Sequence, residues 1–253
     1  MISELFWVSF RHYLRRVSRD PFGLLIFVVL PVALVYVLSL VYTQNATEQI
    51  YVEGYNMAST YIAIGMMLMF QLNGGIYLLN FLNYDLMKPM KWRLKASPCP
   101  TYTLVFAGIT ACLIFTVLQG LVVVACTALF LDAYWGNLWI AAVVIVLISL
   151  ISQMLNMILF LYIRNLNTAE YISWFLSWSM AVLGGLMFAL PNNSFFNFMK
   201  QYGTPFSLAQ SAIRESGFLG ASVINMWICL AALMGITAIL AVTVVKLGRA
   251  RLT

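Results

Sequence analysis

Two rows of polar side chains lie inside long apolar runs, and their types and spacing make them the residues best suited to bind a molecule. In the run at about 57–82 the spacing is four, three and four residues, and in the run at about 138–163 it is four and three. Such spacing places side chains on one face of a helix. The rows are Asn73, Tyr77 and Asn80, continued by Tyr84, and Ser149, Gln153 and Asn156.

Neutral polar rows in apolar helices have two interpretations. They can line the path of a transported molecule, or they can join helices by hydrogen bonds and close packing. We favour packing and keep the translocation path as the alternative for these six site residues.

Catalytic chemistry is not indicated by the sequence. The chain has no P-loop pattern, and its single histidine, His12, excludes a histidine cluster within one chain. Its four cysteines are not paired at metal-ligand spacing, and its acids are scattered. No charged residue stands at the centre of an apolar run, where ion-coupled carriers usually keep one. We therefore expect no catalytic, cofactor or metal site, and neither a membrane-embedded enzyme nor a secondary transporter.

The composition predicts an integral membrane protein. Of 253 residues, 63% are hydrophobic and 9% are charged, and the mean hydropathy is +0.92. Runs of this length span a bilayer as helices, because lipid offers no partner to an unpaired backbone group. We expect a single all-α transmembrane domain over residues 1–253. Its six predicted spans lie at about 22–43, 57–82, 103–131, 138–163, 171–190 and 221–245.

The first 20 residues form a separate amphipathic segment. Phe6 and Phe10 fall on an apolar helical face, and Arg11, Arg15 and Arg19 form a stripe on the opposite face. This pattern predicts a helix in the membrane interface, with its rings among acyl chains and its arginines among phosphates. A signal peptide fits less well, because the next apolar run is too long.

The distribution of cations predicts the orientation. Twelve of the 14 lysines and arginines lie in the first 21 residues, the loops after the second and fourth spans, and the tail. Cytosolic loops carry such an excess, so we expect both termini in the cytosol of a multi-pass plasma-membrane protein. The basic pI of about 9.2 therefore reflects topology, and we expect no nucleic-acid partner.

The densest cationic stretch is KPMKWRLKASPCPTYT at 88–103, which has four cations and three prolines. Pro89 can begin a short helix, whereas Pro98 and Pro100 end it and redirect the chain. The stretch is either a purely topological basic loop or a rigid short helix in the cytosol.

The loop at 191–220 is unusually apolar for a segment in water. Short helices that re-enter the outer leaflet would shelter its aromatic residues, and 206–214 (FSLAQSAIR) is one such predicted helix. A plain extracellular loop is the alternative. The residues assigned to this re-entrant outer segment are Phe195, Phe196, Pro205 and Phe206.

The whole layout resembles the permease, or transmembrane, subunits of the ABC type-2 exporter family. In that family, the loop after the second span carries a basic R-L-x-x-S/T-P string, which residues 93–98 (RLKASP) match. The outer proline followed by a short amphipathic helix corresponds to Pro205–Arg214. Family members often have glutamates just before the string, where this chain has Met87 to Lys91. The partner surface on the ATPase should therefore differ in charge.

The resemblance implies that the cationic stretch is a coupling helix seated on an ABC ATPase subunit. ATP and magnesium would bind to that partner, and a second permease subunit would complete a homodimer or heterodimer within membrane lipid. The implied function is ATP-driven export, in bacteria, of an amphipathic or hydrophobic cargo such as a drug, an antimicrobial peptide or a lipid-linked molecule. A polysaccharide or teichoic-acid exporter permease and a channel-like subunit without an ATPase are the alternatives. The implied ATPase-coupling residues are Lys91, Trp92, Arg93, Leu94, Lys95, Ser97 and Pro98.

Overall fold

The computed structural model describes residues 2–45, 51–52, 55–88, 92, 100–163, 165–186, 191–217 and 222–252. The helices are α1 (Ile2–Ser18), α2 (Pro21–Leu24), α3 (Leu30–Asn45), α4 (Met57–Asn73), α5 (Ile76–Leu86), α6 (Thr101–Phe130), α7 (Leu138–Tyr162), α8 (Leu166–Leu183), α9 (Ser194–Phe198), α10 (Pro205–Arg214) and α11 (Val223–Leu252). Two-residue strands, β1 (Tyr51–Val52) and β2 (Tyr55–Asn56), pair antiparallel before α4.

Five segments of the described chain are long and apolar enough to cross a membrane. They coincide with the predicted first, second, third, fourth and sixth spans, which confirms the prediction of an all-α integral membrane protein. The segments are Pro21–Val41, Ser59–Leu86, Thr101–Phe130, Leu138–Tyr162 and Val223–Ala250.

The predicted fifth span, 171–190, differs from the others. Its helix, α8, has 18 residues and is followed by a turn to Leu186, while 187–190 lie outside the described residues. Within the described chain, α8 is not among the candidate spans. It packs against α4, α5 and α7 through buried Ala169, Ser173 and Ser177. A crossing of the membrane by this segment therefore stays a prediction.

The second span is the central element of the bundle. Of its most apolar window, 94% is buried inside the chain, compared with 22–44% for the other four spans. Both of its halves, α4 and α5, pack against α6, α7 and α8. The first two residues of the polar row on this span, Asn73 and Tyr77, are therefore enclosed by protein, whereas Asn80 and Tyr84 are exposed.

Side-chain caps fix where several helices begin. Asp20 precedes Pro21 and accepts a hydrogen bond from the Gly23 amide at 3.1 Å. The same arrangement recurs at Asn56, Asn137, Asn165 and Thr204, each of which accepts from an amide in the first turn. These side chains satisfy amide groups that a helix leaves unpaired.

The first span contains a π-helical turn at Leu25–Val29, directly before Leu30 and Pro31. Proline has no amide hydrogen and its ring crowds the preceding turn, so the regular helical ladder cannot pass through it. A wider turn at this point accommodates the break and joins α2 to α3.

The N-terminal helix α1 lies along α6. Tyr13 and Val17 are buried, and Phe6 and Phe10 are partly buried against the core. The Phe6 ring lies 5.7 Å from that of Phe106 on α6. The apolar face predicted to enter the acyl region thus also contacts α6, and its place in the membrane interface stays a prediction.

We expect the double substitution Phe6→Asp and Phe10→Asp to reduce the yield of inserted protein strongly, because it puts charge between α1 and α6. Trp7→Asp with Val8→Asp is the matched control, since Trp7 and Val8 are 63% and 70% exposed, and it should reduce the yield less. Membrane-fraction yield and size-exclusion profile measure the effect. Parental yield from the Phe6/Phe10 variant would show that α1 docking is dispensable.

Before the last span, α9, a π-helical turn at Met199–Gly203 and α10 follow one another. α10 packs against α4, α7 and α11, and its Phe206 is fully buried. The Ser207 hydroxyl donates to the Met199 carbonyl at 2.7 Å and ties α10 to the preceding turn. The helix predicted at 206–214 is present, and Phe195 and Phe198 on α9 are exposed.

Candidate functional site

The predicted coupling segment lies between the end of α5 and the start of α6. Trp92 is helical and 71% exposed. The other predicted coupling residues, Lys91, Arg93, Leu94, Lys95, Ser97 and Pro98, lie outside the described residues. At the near end, the amides of Met87 and Lys88 both donate to the Asn83 carbonyl, at 3.0 and 3.2 Å. At the far end, Pro100 precedes α6 in an extended conformation.

A buried carboxylate lies just before this segment. Asp85, in the last turn of α5, is 7% exposed. The Tyr13 hydroxyl of α1 donates to Asp85 Oδ2 at 2.6 Å, and Arg16 Nη1 lies 3.4 Å from Asp85 Oδ1. A buried charge needs a charged or hydrogen-bonding partner to offset its desolvation, and α1 provides both.

The Arg16 guanidinium also lies over two aromatic rings of α5, 4.5 Å from the centre of Phe81 and 4.6 Å from that of Tyr84. Cation–π contacts of this kind add to the ion pair and hold the guanidinium in place. We call Tyr13, Arg16 and Asp85, with these two rings, the α1–α5 clamp. The clamp attaches α1 to the part of the second span that leads into the coupling segment.

Burial, followed by the charge of Asp85 and the hydrogen bond to it, raises the pKa of Tyr13 above its usual value. The hydroxyl therefore stays protonated and remains a donor at physiological pH. Its hydrogen bond to Asp85 does not depend on pH through Tyr13 ionisation in that range.

In a second tyrosine–aspartate pair the tyrosine belongs to the second span and the aspartate to the N-terminal part of the chain, the reverse of the clamp. Tyr77 of α5 donates to Asp20 Oδ2 at 3.2 Å, and the other oxygen of Asp20 caps α2. The Tyr77 ring packs against Phe27 and Phe115, with centroids 5.2 Å from each. Tyr77, one of the predicted path residues, thus holds the junction of α1 and α2 against the second span.

The second span is interrupted at Gly74 and Gly75, between α4 and α5. The Ser152 hydroxyl of α7 donates to the Leu72 carbonyl and accepts from the Gly75 amide at 2.9 Å. A neighbouring side chain therefore supplies partners for backbone groups at the interruption. A Cβ at Gly75 would collide with the Asn156 amide, and one at Gly74 would collide with Thr116.

Gln71, close to the interruption at Gly74 and Gly75, links three helices. Its amide nitrogen donates to the Thr116 carbonyl of α6 at 2.7 Å and to the Ser149 hydroxyl of α7. Ser149, one of the predicted row in the fourth span, thus takes part in an interhelical hydrogen bond. The sequence analysis missed Gln71, although its amide lies two positions before Asn73 in the same apolar run.

The remaining predicted polar residues occupy different environments. Asn73, Gln153 and Asn156 are buried, and Asn156 donates to the Ser152 carbonyl of its own helix at 3.0 Å. Within the described part of the chain, the amide atoms of Asn73 and Gln153 have no hydrogen-bond partner. Asn80 is exposed and donates to Glu170 of α8 at 2.7 Å. Ser149, Tyr77 and Asn80 therefore join helices by hydrogen bonds. The role of the rows in a path stays a prediction.

Asp85, Tyr13 and Arg16 were not among the predicted site residues. Asp85 is the one acid near the end of the second apolar run, and Tyr13 falls on the apolar face of α1 among aromatic and aliphatic residues. An aspartate at the end of an apolar run and a tyrosine on the apolar side of a basic helix are signals that could have suggested the pair.

The fold and the segment between α5 and α6 define a multi-pass helical membrane protein with a basic connection between its second and third spans. The family model of the ABC-2 type transporter matches residues 4–218, so the chain belongs to the ABC-2 type transporter family. This confirms the resemblance inferred from the sequence. A comparison with curated proteins finds no significant match.

The chain is therefore the membrane subunit of an ABC transporter. Its family is a transport permease family and not a family of catalytic domains. Membership implies work with an ATPase and, in most cases, assembly as a dimer.

Proposed function

We propose that the chain is the transmembrane subunit of an ATP-driven exporter, with both termini in the bacterial cytosol. Separate ATPase subunits dock on residues 91–98, and two permease subunits form the transport unit. The cargo is amphipathic or hydrophobic, in the range of drugs, antimicrobial peptides and lipid-linked molecules. Support for this class of cargo is the lack of a charged residue at the centre of any apolar run.

The observation that carries the proposal is the α1–α5 clamp beside the basic connection. When an ATPase displaces residues 91–98, the end of α5 moves with them. The buried contacts of Asp85 with Tyr13 and Arg16 pass this displacement to α1, and α1 passes it to α6, along which it lies. A rigid contact of this kind transmits motion better than a mobile loop.

Reconstitution tests the proposal. The chain is co-expressed with a candidate ABC ATPase, sought first among the neighbouring genes, then purified and placed in liposomes. We expect ATP-dependent movement of a fluorescent amphipathic probe away from the ATPase side, and an ATPase rate that rises with the probe. Failure of the ATPase to co-purify would contradict the docking, and ATP-independent flux would favour a channel-like subunit.

The proposed orientation predicts which positions react from outside the cell. In a cysteine-free background, Glu48→Cys and Lys200→Cys should react with an impermeant thiol reagent, and Lys95→Cys should react only after the membrane is permeabilised. Mass-tag labelling of intact cells measures this. Labelling of Lys95→Cys in intact cells would show that the assigned sides are reversed or that the number of crossings differs.

A further inference from the structure

A groove of about 440 Å³ lies between α6 and α11, at the end of the molecule where α6 begins and α11 ends. Both helices pack on α7 but make little contact with each other. The gap exists because two helices share a neighbour without closing over it. We call it the α6–α11 groove. Its floor is formed by the buried residues Val105, Ile109 and Met157, and its walls include Tyr102, Phe106 and Val245.

The lining of the groove is almost entirely aliphatic and aromatic. Among the described residues that line it, Arg249 is the one with a charge, and Thr101 adds a hydroxyl group. The volume lies in the range of about 300–1,000 Å³ that is usual for small-ligand sites. An occupant that matches this lining has a long apolar part and a single anionic group.

The position of the groove in the membrane favours the same kind of molecule. Thr101 begins one candidate spanning segment and Arg249 lies in the last turn of another. The ends of a segment that crosses the bilayer are expected near the lipid headgroups. The floor residues lie deeper, within the spanning segments. An apolar cavity of this kind does not hold water well, whereas acyl chains surround it. A long cationic side chain at a helix end reaches readily towards the headgroups.

We propose that the α6–α11 groove binds one phospholipid from the adjoining leaflet. An acyl chain lies over Val105, Ile109 and Met157, and the phosphate contacts Arg249. This lipid is a bound component of the subunit and not its cargo. The proposal depends on the chain being a membrane protein and not on the direction of transport.

Photolabelling in liposomes tests the site. The purified chain is reconstituted in phosphatidylcholine that contains a trace of phosphatidylglycerol with a diazirine on its acyl chain. After illumination, mass spectrometry maps the labelled peptides. We expect labelling of 101–109 and 244–249 to exceed that at Leu118 and Val122, which are exposed on α6 away from the groove.

Gly248→Leu is the variant that fills the groove. Gly248 lines the groove, and leucine is favoured over glycine within a helix, so the substitution should not unfold α11. We expect groove labelling to fall by about fivefold or more, because each methylene group excluded weakens acyl-chain binding. Labelling at Leu118 and Val122 should stay unchanged.

Arg249→Gln tests the phosphate contact, and Lys246→Gln is its matched control. Lys246 is an exposed cation on the same helix that does not line the groove. With diazirine-bearing phosphatidylcholine as the comparison probe, the parent should prefer phosphatidylglycerol. Arg249→Gln should reduce that preference by about two- to fivefold, as for an exposed charge contact. Lys246→Gln should retain it.

Three results would overturn the proposal. The first is groove labelling no stronger than that at Leu118 and Val122, as expected if a second copy of the chain or a neighbouring segment covers the groove. The second is groove labelling that Gly248→Leu leaves unchanged. The third is an equal loss of lipid preference in Arg249→Gln and Lys246→Gln, which would place the charge effect outside the groove.

Discussion

Replacing both Trp92 and Leu94 with alanine is expected to abolish stable recovery of the ATPase while leaving the chain folded and inserted. Both residues come after the candidate span Ser59–Leu86 and before Thr101–Phe130 in the chain, and Trp92 is 71% exposed. Buried aromatic anchors commonly contribute about 2 kcal/mol or more to a protein interface. That loss corresponds to roughly a 30-fold rise in Kd. Co-purification with the ATPase and transport in proteoliposomes measure the effect.

The control for this variant is Leu138→Ala with Trp139→Ala. This leucine–tryptophan pair is exposed, at 62% and 82%, and it starts α7 at the other end of the molecule. It should retain the ATPase. Arg93→Ala should weaken recovery less than the Trp92/Leu94 change, and its effect should shrink in high salt, where exposed charges are screened. Full ATPase recovery and transport by the Trp92/Leu94 variant would reduce the basic stretch to a topology signal.

Asp85→Ala should be the most destabilising single change in the clamp. It leaves the Tyr13 hydroxyl without its acceptor and Arg16 without its carboxylate. Leaving a buried donor without its acceptor costs about 1–3 kcal/mol. Arg16 adds less, because its side chain is 30% exposed and water can solvate it. We expect a lower melting temperature in detergent and faster tryptic cleavage after the arginines of α1, because α1 separates from α5.

Two further variants separate the contributions at this site. Asp85→Asn keeps an oxygen that can accept the Tyr13 hydrogen bond and removes only the charge, so its loss should be smaller. Asp132→Asn removes an exposed acid near the other end of α6 and should change neither measurement. Parental melting and proteolysis in Asp85→Ala would show that the clamp does not hold α1.

The spans could be predicted because a segment in lipid must form the hydrogen bonds of its backbone within itself. A run such as 103–131 must form its own helix whatever surrounds it, and α6 covers 101–130. The run at 171–190 was harder to assess. Its helix begins earlier, at Leu166, and buries Ser173 and Ser177 against other helices, so polar contacts replace part of its apolar face.

The site was less predictable because its contacts join distant parts of the chain. Tyr13 and Asp85 are 72 positions apart, and no periodicity relates them. The spacing did place Tyr77 on a polar face, but it could not show that the hydroxyl donates to Asp20. Helical periodicity reports which side of a helix is polar, whereas the partner depends on packing between helices.

The interruption at Gly75 has a consequence for the evolution of the family. The Ser152 hydroxyl donates one hydrogen bond and accepts another. Ser152 and Asn156 occupy the space that a Cβ at position 75 would need. A Cβ at position 75 would also lie 2.6 Å from the backbone oxygen of Ser152, so shorter α7 side chains alone cannot make room for a larger residue. Loss of the hydroxyl at 152 would leave two backbone groups of the second span without their partner. Homologous sequences should therefore keep glycine at 75 and a hydroxyl at 152 together.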